Sequence, residues 1–285
     1  MFGLFGWPEF GMTPEQKKKR REREKQAIED RCKEAVPWEP GHKWTERLTL
    51  KAESWPAWRL FEVEPTVHND VRFEPKPQGK FELSPAGKFM YCEKRLPRGA
   101  RLPIFKGSRK GTVMFDGPVN VPSLHEKSFN GRDWDEHPWM SHTPMEVMTQ
   151  GPGIRRARGH TVVAGLGLGW NLVQVITKKT VKEVTLVEIS DELTDWILPR
   201  VFAFTLPDAV QVEERKWAWK GKTVNVVIGD AREVLATYAA DVALIDIDES
   251  YGSNTFFTRG TGDGKPKNIP VVWVWGSAGV SGGLF

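Results

Sequence analysis

A chain of 285 residues, 39% hydrophobic and with 13 tryptophans, reads as globular and is long enough to bury a sizeable core in one large domain or two small ones. Its formal charge of +4 hides an asymmetry: residues 17–25 carry seven Lys/Arg against Glu22 and Glu24, a local +5 that leaves about −1 for everything else. The positive charge therefore belongs to one short segment and excludes a basic surface spread across the fold, while two cysteines, Cys32 and Cys92, without Cys-x-x-Cys spacing exclude a disulfide framework and fit a reduced cytoplasm.

The apolar opening, residues 1–12, has no basic n-region, holds Pro8 and Glu9, and is too short for a signal peptide or a membrane span; no other run approaches transmembrane length. Thr13-Pro14-Glu15-Gln16 reads as a capping box with proline in the first turn, predicting a helix to about Ala35. The basic half of this helix has no apolar stripe, and only Ala27, Ile28, Cys32 and Ala35 offer a small face near its end. This arm, residues 1–36, is expected to be a solvated or docking helix, with a weak phosphate or nucleic-acid contact through Lys17 to Lys25 as its functional alternative.

Residues 37–150 are proline-rich, lack helical periodicity and predict a small β-rich domain. Strands are expected at 47–50, 58–63 and 112–115, with a hairpin around Ser84-Pro85-Ala86-Gly87. A helix-like stretch at 139–149 leads to Gly151-Pro152-Gly153, a domain boundary signal. Beyond it, residues 151–285 alternate strand and helix: strands at 161–164, 184–187, 224–228, 242–246 and 271–275, with helices at 170–178, 191–204 capped by Ser190, and 231–239 opened by Asp230. Consecutive Val, Ile and Leu in these strands suit a parallel sheet buried on both faces, hence an α/β, Rossmann-like doubly wound domain that binds ligands at the carboxyl ends of its strands.

The first of these strands runs into Gly165-Leu166-Gly167-Leu168-Gly169 and then a helix. Alternate glycines let the backbone turn without a Cβ clash and bring main-chain N–H groups against a ligand. A dinucleotide fingerprint would need a small residue at position 170, where this chain has Trp170, so NAD is disfavoured. Glu188 ends the next strand where a ribose hydroxyl would be read, and Asp230 and Ala231 follow the third. Asp246 and Asp248 end the fourth at period-two spacing, which puts both on one side of an extended segment and makes one of them a candidate base. His142 and His160 read as structural, Arg155, Arg156 and Arg158 as solvated cations, and the six histidines show no metal-ligand spacing.

Loop, acid and following strands together resemble the class I S-adenosylmethionine-dependent methyltransferases and the related spermidine synthase-like aminopropyltransferases. Phe115-Asp116-Gly117, Asp135-Glu136, the helix acid in Met145-Glu146-Val147-Met148 and then the glycine loop follow the order of a spermidine synthase, and residues 139–146 with 152–160 resemble uncharacterised methyltransferase-like proteins of bacteria and their phages. The resemblance implies an adenosyl ligand, S-adenosylmethionine or its decarboxylated form, on Gly165, Gly167, Gly169 and Glu188, with Asp230 on the adenine amino group and the Ala231 N–H on the ring. It places transfer to an unidentified acceptor near Asp246 and Asp248. The family sheet has seven strands and closes with an antiparallel hairpin, whereas only ten residues follow the fifth predicted strand here, so the sheet is expected to be C-terminally truncated, with an edge exposed, covered or buried in a homodimer. Residues 251–268 are too glycine-rich for a helix and read as an acceptor lid or a decayed segment.

Methyl transfer is favoured over aminopropyl transfer because the extra acid of the Gly-Gly-Gly-Asp-Gly loop is replaced by Leu168. The absence of Asn/Asp-Pro-Pro-Tyr/Phe and Pro-Cys argues against amino-methylating and cytosine-C5 DNA methyltransferases. A non-catalytic interaction module on the same fold is the alternative of a different class.

Overall fold

The computed structural model describes residues 12–40, 45–67, 81–106, 109–128, 134, 138–247, 257 and 266–276. Helix α1 (Pro14–Lys33) carries the expected capping box: Gln16 N–H donates to Thr13 Oγ1 at 3.2 Å and Thr13 N–H donates to Gln16 Oε1 at 2.8 Å. Two backbone donors that a helix start otherwise leaves to water are thereby satisfied.

The β-rich region follows as β1 (Arg47–Leu50), β2 (Thr66–Val67), β3 (Glu82–Leu83), β4 (Phe89–Leu96), β5 (Arg101–Lys106), β6 (Arg109–Phe115), β7 (Val119–Glu126) and β8 (Met140–Ser141). One sheet has the order β1-β6-β5 and a second the order β2-β4-β7-β8, with β3 also on β4 in the predicted hairpin. The strand predicted at 58–63 does not form. Its Trp58, Leu60, Phe61 and Val63 are buried, yet the Leu60 N–H meets the Tyr91 hydroxyl at 3.3 Å, so a side chain takes a donor that a ladder would have used.

Helix α2 (Pro144–Arg156) starts later than the sequence predicts because Met140 and Ser141 pair with β7, and it runs through Gly151, Pro152 and Gly153, where the boundary signal lies. Then come β9 (Gly159–Ala164), α3 (Trp170–Ile176), β10 (Val181–Glu188), α4 (Asp191–Thr205), β11 (Val210–Glu213), β12 (Lys216–Trp219), β13 (Lys222–Ile228), α5 (Ala231–Thr237), β14 (Val242–Ile245) and β15 (Val271–Val274). Ser190 Oγ accepts from the Leu193 N–H and Asp230 Oδ1 from the Arg232 N–H, the two caps the sequence predicts.

Among the described residues these strands form one seven-stranded sheet of order β11-β12-β13-β10-β9-β14-β15. Its five predicted strands are parallel, giving a Rossmann-like mixed α/β architecture. The sheet does hold an antiparallel hairpin, β11–β12, but on the β13 edge; among the described residues no strand lies beyond β15, the edge where the closing hairpin is expected to be missing. Side chains alternate across the sheet as pleating requires. Val163, Val184, Leu186, Val242 and Leu244 join a core that also takes in α3, α4 and the β-rich region, while Val162, Ala164, Val187, Ala243 and Ile245 pack with Ala231 and Leu235 of α5 on the other face. Among the described residues no helix is long and apolar enough to cross a membrane.

Candidate functional site

Strand order reverses about β9, which lies between β10 and β14. At such a switch point the connections leave to opposite sides and open a crevice at the carboxyl ends of the strands. A cleft lies there, enclosing about 780 Å³ with the solvent at its mouth. The ends of four strands line it: Gly165 to Gly167 after β9, Val187 to Ile189 at β10, Gly229 to Arg232 after β13, and Asp246 and Ile247 after β14, joined by Trp139, Met140 and Asn171.

The structure brings Gly165, Gly167, Glu188, Asp230, Ala231 and Asp246 together on this cleft and leaves Gly169 outside its lining. Glycine is demanded at each loop position for a different reason. Gly165 has φ +92°, and a Cβ there would run into the backbone carbonyl oxygen of Asp246. Gly169, at φ +80°, caps α3, and a Cβ would stand 2.5 Å from Val201 Cγ2 of α4, so its task is helix packing. Gly167, at φ +50°, lies under the Met140 side chain, with an added Cβ 3.1 Å from Sδ. The loop is held from behind as well: Trp58 Nε1 donates to the Leu168 carbonyl at 2.8 Å, tying the β-rich region to it.

Glu188 is 4% exposed and already engaged. Its Oε2 accepts the Leu166 N–H at 2.8 Å and its Oε1 the Ser190 N–H at 2.9 Å. Burial pushes its carboxyl above the usual range, and the backbone donors of Leu166, Ser190 and Ile189 pull the other way. Across the cleft, Asp230 caps α5, and Arg232 Nη1 approaches its other oxygen at 3.3 Å.

At the β14 end, the Asp246 N–H donates to the Ala164 carbonyl at 2.9 Å, and its Oδ2 accepts from Gln150 Nε2 of α2. Asp248, its predicted companion, lies outside the described residues, as do 251–256 and 258–265 of the expected lid. A different carboxyl stands nearby. Glu146 of α2 accepts the Ser141 N–H and the Ser141 hydroxyl, each at 2.9 Å. Burial raises it to about 8, the Ser141 bonds oppose the shift, and the charge of Asp246 adds to it. Asn171 Oδ1, on the cleft, and Gln150 Oε1, on the residue that holds Asp246, are buried with no hydrogen-bond partner among the described residues.

Neither histidine lines the cleft. His142 stacks on Trp58 at 5.5 Å with Trp55 and Trp170 beside it, and burial holds it near 3. His160 meets Thr185 Oγ1 at 2.9 Å. Arg156 donates to the Pro152 carbonyl within its own helix. Among the described residues no group of three or more His, Cys, Asp or Glu could hold a metal ion. Trp139, Met140, Asn171 and Gln150 were missed by sequence reasoning. Asn171 alone carried a usable signal, as a polar residue in the first turn after the loop.

No protein-family model and no curated protein matches the chain. Solved structures with which it shares similarity include a candidate RNA methyltransferase from Pyrococcus horikoshii (18% identity, 47% of this chain and 60% of that one, TM-score 0.30). MnmC2 from Aquifex aeolicus is 15% identical over 52% of this chain and 50% of that one, TM-score 0.29. Spermidine synthase from Thermotoga maritima is 11% identical over 64% and 59%, TM-score 0.31. The chain thus spans 60%, 50% and 59% of the length of these three proteins.

Proposed function

We propose that this chain is an S-adenosylmethionine-dependent transferase that moves a methyl group to an acceptor. The observation that carries this reading is the meeting, in one cleft, of a glycine loop with the Glu188 carboxylate bonded to its Leu166 N–H and Asp230 at the neighbouring strand end. The residues fit the ligand: Gly167 leaves a cradle that a side chain would fill, and Asn171 Oδ1 is a buried acceptor in want of a donor.

The ligand would supply an electrophilic methyl group on a sulfonium. The chain does the rest. The Glu188 oxygens accept backbone N–H groups, Leu166 on one and Ser190 on the other, and their remaining lone pairs would take ribose hydroxyls. Asp230 and the Ala231 N–H would address the adenine edge, and Trp139 and Met140 would exclude water from above the loop. Asp246, held by Gln150, would take the acceptor's proton. An Asp246→Asn variant should then keep its affinity for the ligand and lose turnover by about 10²- to 10⁴-fold.

Aminopropyl transfer is the second reading, favoured by Asp246 and the buried Asn171 Oδ1 on the cleft, acceptors that would suit a cationic amine. Calorimetric titration with S-adenosylmethionine, its decarboxylated form and S-adenosylhomocysteine separates the possibilities. Methyl transfer predicts that the first and third bind and that the decarboxylated form is no tighter. Preference for the decarboxylated form reverses the ranking, and no binding by any of the three leaves the fold as a non-catalytic interaction module.

A further inference from the structure

Helix α1 is built to stand without a core. It has 20 residues, a complete capping box, and no buried side chain. At 1.5 Å per residue it is about 30 Å long. Its attachments lie in its second half. Arg98 donates to both carboxylate oxygens of Glu29, each at 2.9 Å, and Arg31 Nη2 donates to the Leu48 carbonyl at 3.2 Å. Ile28 packs so closely over Gly99 that a Cβ there would be 2.8 Å from its Cγ2. Such a bidentate pair with a packed aliphatic neighbour fixes direction as well as position.

The charge lies in the other half. Seven cations occupy nine positions, 17–25. Lys19 and Arg20 are paired within the helix, to Glu15 at 3.2 Å and to Glu24 at 2.9 Å. Lys17, Lys18, Arg21 and Lys25 share one face, around a shallow groove with Pro14 and Glu22. Positions 17, 21 and 25 recur once per turn, which stacks three cations in a row about 12 Å long.

From this arrangement we infer that α1 is a nucleic-acid-binding arm whose Lys17, Lys18, Arg21 and Lys25 track a phosphate backbone. A row of cations at short, regular spacing complements a polymer with one charge per unit, and release of its condensed counterions drives the association. The helix lacks the apolar face that would lay it in a membrane surface. The arm is independent of the cleft chemistry and would serve a transferase or a binding module alike.

The test uses the full chain and a fluorescently labelled 20-nucleotide single-stranded RNA, with anisotropy followed across a salt series. Four contacts at about 0.7 each predict that the K17Q/K18Q/R21Q/K25Q variant loses about 3 from the log–log salt slope and at least about tenfold in affinity. Glutamine is as good a helix former as lysine, so far-ultraviolet circular dichroism should be unchanged. Equal affinity and slope in wild type and variant overturn the inference. So does binding to phosphatidylserine vesicles tighter than to the RNA, or equal displacement by polyglutamate at matched charge.

Discussion

The Glu188 carboxylate accepts the Leu166 backbone N–H at 2.8 Å, across 22 residues of sequence. The acid expected to read a ribose therefore also fixes the shape of the loop on which the ligand would lie. One substitution should show both effects. Glu188→Ala is expected to weaken adenosyl-ligand binding by about 10- to 100-fold and to lower stability by about 1–3 kcal/mol, because the buried Leu166 and Ser190 donors lose their acceptor. Calorimetry and urea denaturation on the same samples check this, and loss of affinity without loss of stability would mean that the loop holds itself.

Gly165 and Gly221 separate backbone strain from close approach. Both have positive φ, +92° and +76°, but a Cβ at Gly165 meets the Asp246 carbonyl whereas one at Gly221 meets nothing within 4 Å. Gly221→Ala should cost about 1–2 kcal/mol, the left-handed penalty alone. Gly165→Ala should cost clearly more, since β9 and β14 must part. Equal denaturation midpoints would show that the sheet end yields freely.

The link from the β-rich region to the loop can be cut at a single atom. Trp58→Phe removes the indole donor from the Leu168 carbonyl and keeps most of the ring's burial. A loss of about 1–3 kcal/mol is expected from the acceptor left buried, with a weaker ligand affinity if the bond fixes the loop. Unchanged melting and unchanged affinity would remove the β-rich region from the account of the site.

Two buried groups shape the pH dependence of stability with opposite signs. Glu146 is raised from 4.5 to about 8, so the folded chain keeps a proton that the unfolded chain releases; the stabilisation is complete below pH 4.5 and is lost as pH rises towards 8. Glu188 is raised also and adds to that limb. His142 is lowered from 6.5 to about 3, so its contribution is complete above pH 6.5 and is lost as pH falls towards 3. The two slopes oppose one another between pH 4.5 and 6.5, where stability should be flattest. Glu146→Gln should flatten the alkaline limb and His142→Phe the acid limb of a melting-temperature profile, and a limb that persists in its variant assigns it to another group.

The parallel strands and the glycine loop were legible because they are local: the apolar runs at 162–164 and 242–245 mark strands buried on both faces, and Ser190 and Asp230 mark helix starts. The hairpin β11–β12 was not legible. Its first strand is exposed throughout, and it turns through Glu214 and Arg215, the latter at φ +60°, where glycine or asparagine would have signalled the bend. Residues 58–63 misled in the opposite sense, since their apolar side chains are buried but the Leu60 N–H is met by a side-chain hydroxyl in place of a strand. The roof of the cleft escaped because nothing in Trp139-Met140 announces Gly167, 27 residues further on. Nor does the loop pattern announce that the missing Cβ of Gly169 also makes room for Val201 of α4.

A crystal structure of the chain with S-adenosylhomocysteine decides whether this cleft holds an adenosyl ligand. Ribose hydroxyls are expected within hydrogen-bond distance of Glu188, adenine between Asp230 and Ala231, and the sulfur facing Asp246 beneath Met140. A ligand bound elsewhere, or one that reaches the cleft without touching Glu188 or Asp230, would contradict it.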